Sequence, residues 1–347
     1  MKRPTISDVA RSAGVSTTAV SFAFNQPTRV AEKTREKILS VATELGYAPD
    51  PVARSMNTGR TGTIGILIPQ PLSLVAHNPY FSAFLAGVAE ATEPNELPIM
   101  VVGPRQGSIE HAIFDAAVDG FLTIGLEAFR PTIQLLGRRR LPYLMVDSEP
   151  VEGVACVNAD DAAGARQGMA HVLEAGHRRI GILGIRSPQR GRWKHYTGTL
   201  SRRVKGYAEA LQTHGLTLDS VELTECAVSE EGGRRGLHRL LAKSSPTAIV
   251  SMSDIAALGA LSEARRLGLE VPADLSIVGF DDIPETRWSR PPLTTVSQPS
   301  QAKGRIAAER LIDLIAGHGQ PEHVVLDTKL VIRESVAAPR KDETGSN

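Results

Sequence analysis

Cysteine is scarce: Cys156 and Cys226 stand far apart, with no spacing that would suit a metal ion. That excludes a disulfide framework and a cysteine zinc site. Long apolar runs are missing too. No stretch approaches the ~18 apolar residues of a membrane span, and the first residues, MKRPTISDVA, lack the apolar core of an export signal. The expectation is a soluble, cytoplasmic protein with no membrane contact. Net charge is only +1, so the chain as a whole is no polyanion binder. It also lacks a glycine-rich phosphate loop, a nucleophile elbow, a metal-spaced His/Glu pair and a paired-carboxylate site in its required context. Neither catalysis nor a cofactor or metal is expected.

What is present is enough apolar material, 41% of 347 residues, for a sizeable core divided into two or three units. The charge is unevenly placed. Residues 1–60 hold nine Lys/Arg and five Asp/Glu, a net +4, and the remainder is net −3. A small basic end on a mildly acidic body is expected where only the end touches phosphate.

Within that basic end, Thr5 and Asp8 have the spacing of a helix start. Gly14 ends the helix in a turn, because it accepts a positive φ. Ser16 caps a second helix, from Thr17 to about Phe24, and a third runs from about Ala31 to Leu45 and stops at Gly46. This is the pattern of a helix-turn-helix, whose second helix enters the major groove. Its outward positions are Thr17, Thr18, Ser21 and Phe22. The alternative is a small helical domain whose polar face is simply solvated.

From Thr63 onward, short apolar runs alternate with helical patterns. Ile64–Pro69, Pro98–Val102, Gly120–Ile124 and Leu141–Asp147 open the series, and Thr247–Met252 and Leu275–Phe280 close it. The alternation predicts α/β architecture with parallel sheets, and the length suits two doubly wound lobes. Ligands in such sheets sit at the carboxyl ends of the strands. Asn78, Tyr80, Phe81, Asp147, Asp160, Ser253 and Asp281 lie in those loops, and Arg203 opens a helix. Carboxylates, an arginine, a hydroxyl and aromatic rings meeting in one cleft suit a polyol. Asp254 and Asp282 have a second reading as helix or turn caps. The loop from Arg186 to Leu200 is basic, with Arg190, Arg192, Lys194 and His195. It either draws an anionic effector or is a solvated surface.

The first sixty residues closely resemble the lac repressor (LacI/GalR) family. The resemblance rests on Thr5-Ile6-x-Asp8-Val9-Ala10, Ala13-Gly14-Val15-Ser16 and Val20-Ser21, then Thr34-Arg35, Leu45-Gly46-Tyr47 and Val52-Ala53-Arg54-Ser55-Met56. It continues more loosely through Asn78-Pro79-Tyr80-Phe81, Gly176-His177-Arg178-Arg179, Arg203-x-x-Gly206, Gly279-Phe280-Asp281-Asp282 and Gln298-Pro299. It implies a DNA-binding domain at 1–48, a hinge at 49–62, an effector-binding and dimerisation domain of two periplasmic-binding-protein-like lobes at 63–333, and a disordered tail at 334–347.

It also implies a regulator, usually a repressor, that binds near-palindromic double-stranded operator DNA as a homodimer and answers to a small molecule, above all a sugar. Thr5, Ser16, Arg29, Thr34 and Arg54 join the recognition-helix residues on DNA. Met56 stands where the family wedges a leucine into the minor groove, and a residue packed onto its own domain is the plainer reading of it. The resemblance places effector contacts at Arg203 and Asp281, and a cleft carboxylate at Asp160. Phe22 departs from the family's usual arginine and offers only apolar contact, unless it is a core residue beside Phe24. Ser253 replaces a usual asparagine. Val228 replaces an aromatic platform, for which Trp193 or Tyr196 is a substitute.

Overall fold

A computed structural model describes residues 4–125, 130–186 and 196–340, with the backbone alone given at 51, 52, 54, 57, 130 and 131. The chain divides into two compact units, Met1–Gly62 and Thr63–Asn347.

The first unit is helical: α1 (Ile6–Ala13), α2 (Thr17–Asn25), α3 (Glu32–Leu45) and α4 (Pro51–Thr58). Thr5 and Asp8 form a reciprocal cap on α1, and Gly14 closes it at φ 69°. Val9, Ala10, Ala13, Val20, Ala23, Ile38 and Ala42 make a small core. The Phe24 ring meets Tyr47 edge-on at 5.8 Å.

The second unit opens with β1 (Ile64–Leu67), α5 (Leu72–Val75), α6 (Pro79–Thr92), β2 (Ile99–Val102), α7 (Ile109–Asp115), β3 (Gly120–Ile124), α8 (Arg130–Arg139), β4 (Tyr143–Val146) and β5 (Ala155–Ala159). The chain then crosses to a second lobe: α9 (Asp161–Glu174), β6 (Ile180–Ile185), α10 (Gly198–Thr213), β7 (Glu222–Cys226), α11 (Glu230–Lys243), β8 (Ala248–Ser251), α12 (Asp254–Arg266), β9 (Ser276–Asp281), α13 (Glu285–Trp288) and β10 (Thr294–Ser297). It returns as α14 (Ser300–Ala316) and β11 (His323–Leu326), and ends in β12 (Lys329–Val331).

The first sheet has the order β11-β5-β4-β3-β1-β2 and the second β12-β10-β9-β8-β6-β7. All pairings are parallel except β10 with β12. Strands buried on both faces read as continuous apolar runs, which is why β1 and β3 stand out in the sequence. Of the three crossings between lobes, the first and third lie side by side. The Asp160 amide donates to the Leu326 carbonyl at 2.8 Å, and the Thr328 hydroxyl donates to the Asp160 carbonyl at 2.9 Å.

Helix α14 packs on α6 against the first sheet. The approach is close: a Cβ on Gly304 would lie 2.1 Å from the Phe84 carbonyl oxygen, and one on Gly87 1.8 Å from that of Gln301. Glycine at both contacts lets the two backbones touch.

The expected disordered tail needs correction over 334–340. Ser335 is fully buried, and its hydroxyl donates to the Ile277 carbonyl while accepting from the Thr294 amide at 2.8 Å. Ala337 bonds Ser276, and Arg340 pairs with Asp274. The segment lines the second sheet, so its backbone groups find partners and its charges find ions; composition alone does not reveal that. Residues 341–347 lie outside the described residues. Among the described residues, no helix is long and apolar enough to cross a membrane.

Candidate effector cleft and DNA-reading helices

The DNA-reading candidates fall around the start of α2. The Ser16 hydroxyl caps the helix by accepting from the Ala19 amide at 3.1 Å. Thr17 and Thr18 are exposed beside it, and Ser21 and Phe22 are half-buried. Phe22 is not among the core residues of this unit, whereas Phe24 packs against that core. The exposed Arg29 guanidinium lies over the Phe22 ring, 5.2 Å from its centre. Thr5 is committed to capping α1 together with Asp8. Thr34 lies half-buried in the first turn of α3. On α4, Met56 is 82% exposed, not packed against its own unit. The Arg54 side chain lies outside the described residues.

The cleft candidates gather at the carboxyl ends of the strands in both lobes. On the first lobe, Asn78 caps α6, accepting from the Tyr80 amide at 3.1 Å. Tyr80 donates its hydroxyl to Asp147, which follows β4. Phe81 is buried against Phe84 in the lobe core. On the second lobe, Arg203 lies 4% exposed on α10 and stacks on the Phe280 ring at 3.6 Å. It donates to Asp161 at 3.0 Å and to the Met252 carbonyl. Asp281, at the end of β9, accepts from the Gln298 amide nitrogen at 2.5 Å.

Asp160 does not face the arginine. Its carboxylate caps α9 by accepting from the Ala163 amide at 3.0 Å, and it is its buried neighbour Asp161 that holds Arg203. Asp254, by contrast, is not a helix cap. One oxygen accepts from Thr295 at 2.6 Å and the other from the Ile283 amide at 3.0 Å. Asp282 takes the Arg333 guanidinium at 2.5 Å. Tyr196 is no open platform: its ring is buried in the second lobe's core, and its hydroxyl donates to Glu225 at 2.6 Å. Arg190, Arg192, Trp193, Lys194 and His195 lie outside the described residues.

Lys303 is the site residue that the pattern of sequence motifs misses. Fully buried on α14, its ammonium donates to Asp147 at 2.6 Å, Gln298 at 2.7 Å and Tyr80 at 3.1 Å. A signal existed. Lys303 shares the helical stripe of Ala307 and Leu311, which both face the core, and a charge on such a stripe needs a buried partner.

Electrostatics follow from this packing. Burial alone would raise the Asp147 carboxyl, but Lys303 overrides it and holds Asp147 below its ordinary value. Burial, and then Asp147, lifts the Tyr80 phenol well above its own. Burial raises Asp281 to about 6, and burial together with Asp281 raises Asp254 to about 8. Asp147, Asp281 and Asp282 hold positive φ of 52°, 129° and 58°, and such backbone collects where ligands are clamped. The Ser253 hydroxyl is buried with no partner, a donor that a ligand would satisfy. Among the described residues there is no metal-holding cluster.

A helix-turn-helix unit in the same chain as two α/β lobes defines a DNA-binding transcription regulator. The chain belongs to the LacI family of bacterial regulatory proteins. Residues 5–50 match the family's DNA-binding region, described as bacterial regulatory proteins, lacI family, and residues 169–336 match a periplasmic binding protein-like domain. The transcriptional repressor CytR of Escherichia coli (strain K12) is 34% identical over 345 residues, covering 96% of each chain. Among solved structures, the lac repressor dimer bound to operator and the anti-inducer ONPF superposes with a TM-score of 0.81 at 26% identity, over 97% of this chain and all of that one. A CelR–cellobiose complex gives 0.71 at 29%, over 96% of this chain and all of that one.

Proposed function

We propose that this chain represses transcription as a homodimer on near-palindromic operator DNA in the cytoplasm, and that an uncharged carbohydrate held between the lobes changes its affinity for that DNA. The domain limits follow: reading helices at 1–48, a hinge at 49–62 and an effector domain from 63. Thr17, Thr18, Ser21, Phe22 and Arg29 face base edges and backbone, and Met56 wedges the minor groove. Asn78, Tyr80, Asp147, Arg203, Ser253 and Asp281 receive the effector.

One observation carries the effector half. Carboxylates, a phenol, an amide and an arginine from both lobes meet at the strand ends, and the three cations that meet them, Lys303, Arg202 and Arg203, are already paired. Lys303 is held by Asp147, while Arg202 and Arg203 share Asp161. A phosphate would find no free positive charge among them, whereas hydroxyls find acceptors. Two-fold symmetry in the protein demands near two-fold symmetry in the operator. Effector and operator then influence each other's affinity by the same factor, typically about 1–3 kcal/mol.

The experiment is operator selection from random DNA with the full chain, repeated with Met56→Gly and with cellobiose, ribose or ribose 5-phosphate added. The expected result is a near-palindromic site with a central kinkable step, weakened by Met56→Gly and changed by a neutral sugar. A response to ribose 5-phosphate alone would overturn the uncharged class. No selected site at moderate salt would overturn the DNA half.

A further inference from the structure

Lys303 belongs to the first lobe, whose strands β3, β4 and β5 its helix covers. Asp281 belongs to the second, at the end of β9. Gln298 stands between them, on the crossing from β10 to α14. Its carbonyl oxygen accepts from Lys303 at 2.7 Å, and its amide nitrogen donates to Asp281 at 2.5 Å. We infer that Lys303 is a positioning residue that ties the two lobes together, through Gln298 to Asp281.

The ammonium suits this role because it is saturated and dry. It has three donors, and Asp147, Gln298 and Tyr80 take them at zero exposure. The Gln298 amide is thereby fixed in orientation, with its carbonyl toward the cation and its NH2 toward the carboxylate. A buried pair of this kind holds its geometry because breaking it strands a charge.

Asp147 extends the tie across the cleft. Its carboxylate holds Lys303, while its backbone carbonyl accepts from Thr199 of the second lobe at 3.1 Å. Next to it, Ser148 accepts from Arg202 at 3.1 Å, and Glu149 accepts from the Gly198 amide at 2.8 Å. The lobes are thus bonded on both sides of the cleft, with Asp147 common to the two sets. An effector that takes Asp281 must first displace Gln298 and so loosen the tie. That consequence rests on the effector reading above, but the tie itself does not.

Hydrogen–deuterium exchange on the full chain without any ligand tests the tie, whatever sugars do or do not bind. Lys303→Met is expected to speed exchange about tenfold or more in peptides covering 196–203 and 279–283, with strands β6 and β8 as protected as before. Lys303→Met with Asp147→Asn removes the stranded charge and is expected to leave those peptides fast. Gln298→Leu keeps the Lys303–Asp147 pair and is expected to loosen the same peptides, so it decides the matter even if Lys303→Met does not fold. Unchanged exchange in Gln298→Leu overturns the tie. Full recovery of protection in the double variant also overturns it, because Lys303 would then only neutralise Asp147.

Discussion

The Asp161 carboxylate holds Arg203 at 3.0 Å and, through its other oxygen, Arg202 at 2.8 Å. Burial alone would lower the Arg203 guanidinium, yet the adjacent Asp161 carboxylate raises it above its ordinary value. Removing the carboxylate leaves a buried cation without its nearest counter-charge. Asp161→Ala is therefore expected to cost about 3–5 kcal/mol, read as a lower urea midpoint for the body. A loss below about 1 kcal/mol, the range of an exposed pair, would show that water reaches Arg203.

Helix α14 carries Lys303 into the cleft, and its place is set by the backbone contact at Gly304. A valine there cannot avoid the Phe84 carbonyl oxygen, 2.1 Å from the first added carbon. Gly304→Val is expected to destabilise the first lobe by about 1–3 kcal/mol or more, and the thermal midpoint should fall. An unshifted midpoint would mean that α6 and α14 slide apart freely.

The main architecture is legible in the sequence because both sheets are built from apolar runs between helical stripes. What stays hidden has particular causes. Helix α11 reads poorly because Gly232, Gly233 and Gly236 weaken helix propensity. They are there for close packing: a Cβ on Gly233 would sit 1.9 Å from the Ala256 carbonyl oxygen on α12. Strand β7, with Glu222, Thr224 and Glu225, pairs only with β6 at the sheet edge and lacks an apolar run. The choice between Asp160 and Asp161 turns on rotation about a helix start, where neighbouring side chains point about 100° apart. Sequence places the pair but not the direction. Lys303 needed the helical stripe and the partners together, and its partners come from distant segments.

Asp254 and Asp281 make stability fall as pH rises above neutrality. Burial lifts Asp254 to about 8 and Asp281 to about 6, against about 3.9 for a free aspartate. The folded protein thus keeps protons that the unfolded chain releases above about pH 4. Stability supplied by these groups is present below that pH and is lost as pH climbs toward 8. Burial lowers His171, His177 and His323, which oppose the aspartates below about pH 6.5. Urea midpoints should therefore decline between about pH 6.5 and 8, and Asp254→Asn should flatten that decline. A steeper slope in the variant would reverse the assignment.

On the proposed DNA reading, Phe22 gives apolar contact and holds Arg29 against its face. Phe22→Arg restores a group able to bond guanine O6 and N7, worth about 1–3 kcal/mol of discrimination. Selection from a randomised operator pool should then show a new guanine in each half-site; an unchanged consensus would remove Phe22 from the reading surface. Arg29→Ala should weaken binding and lower the salt slope by about 1 if Arg29 meets a phosphate.

Ser335 shows how a residue in the expected tail acts as a core element. Its hydroxyl fills the gap between two strands: Ile277 of β9 offers a carbonyl and Thr294 of β10 an amide at 2.8 Å, with the serine fully buried between them. Ser335→Ala leaves both backbone groups dry and unpaired, and each such loss costs about 1–3 kcal/mol. Ser335→Cys keeps a weak donor of larger size and should recover only part of the loss. Because β9 carries Asp281 and β10 leads into Gln298, the alanine variant should also disturb the cleft. Faster amide exchange at 279–283 would report that, while a stability loss confined to residues 334–340 would separate the segment from the cleft.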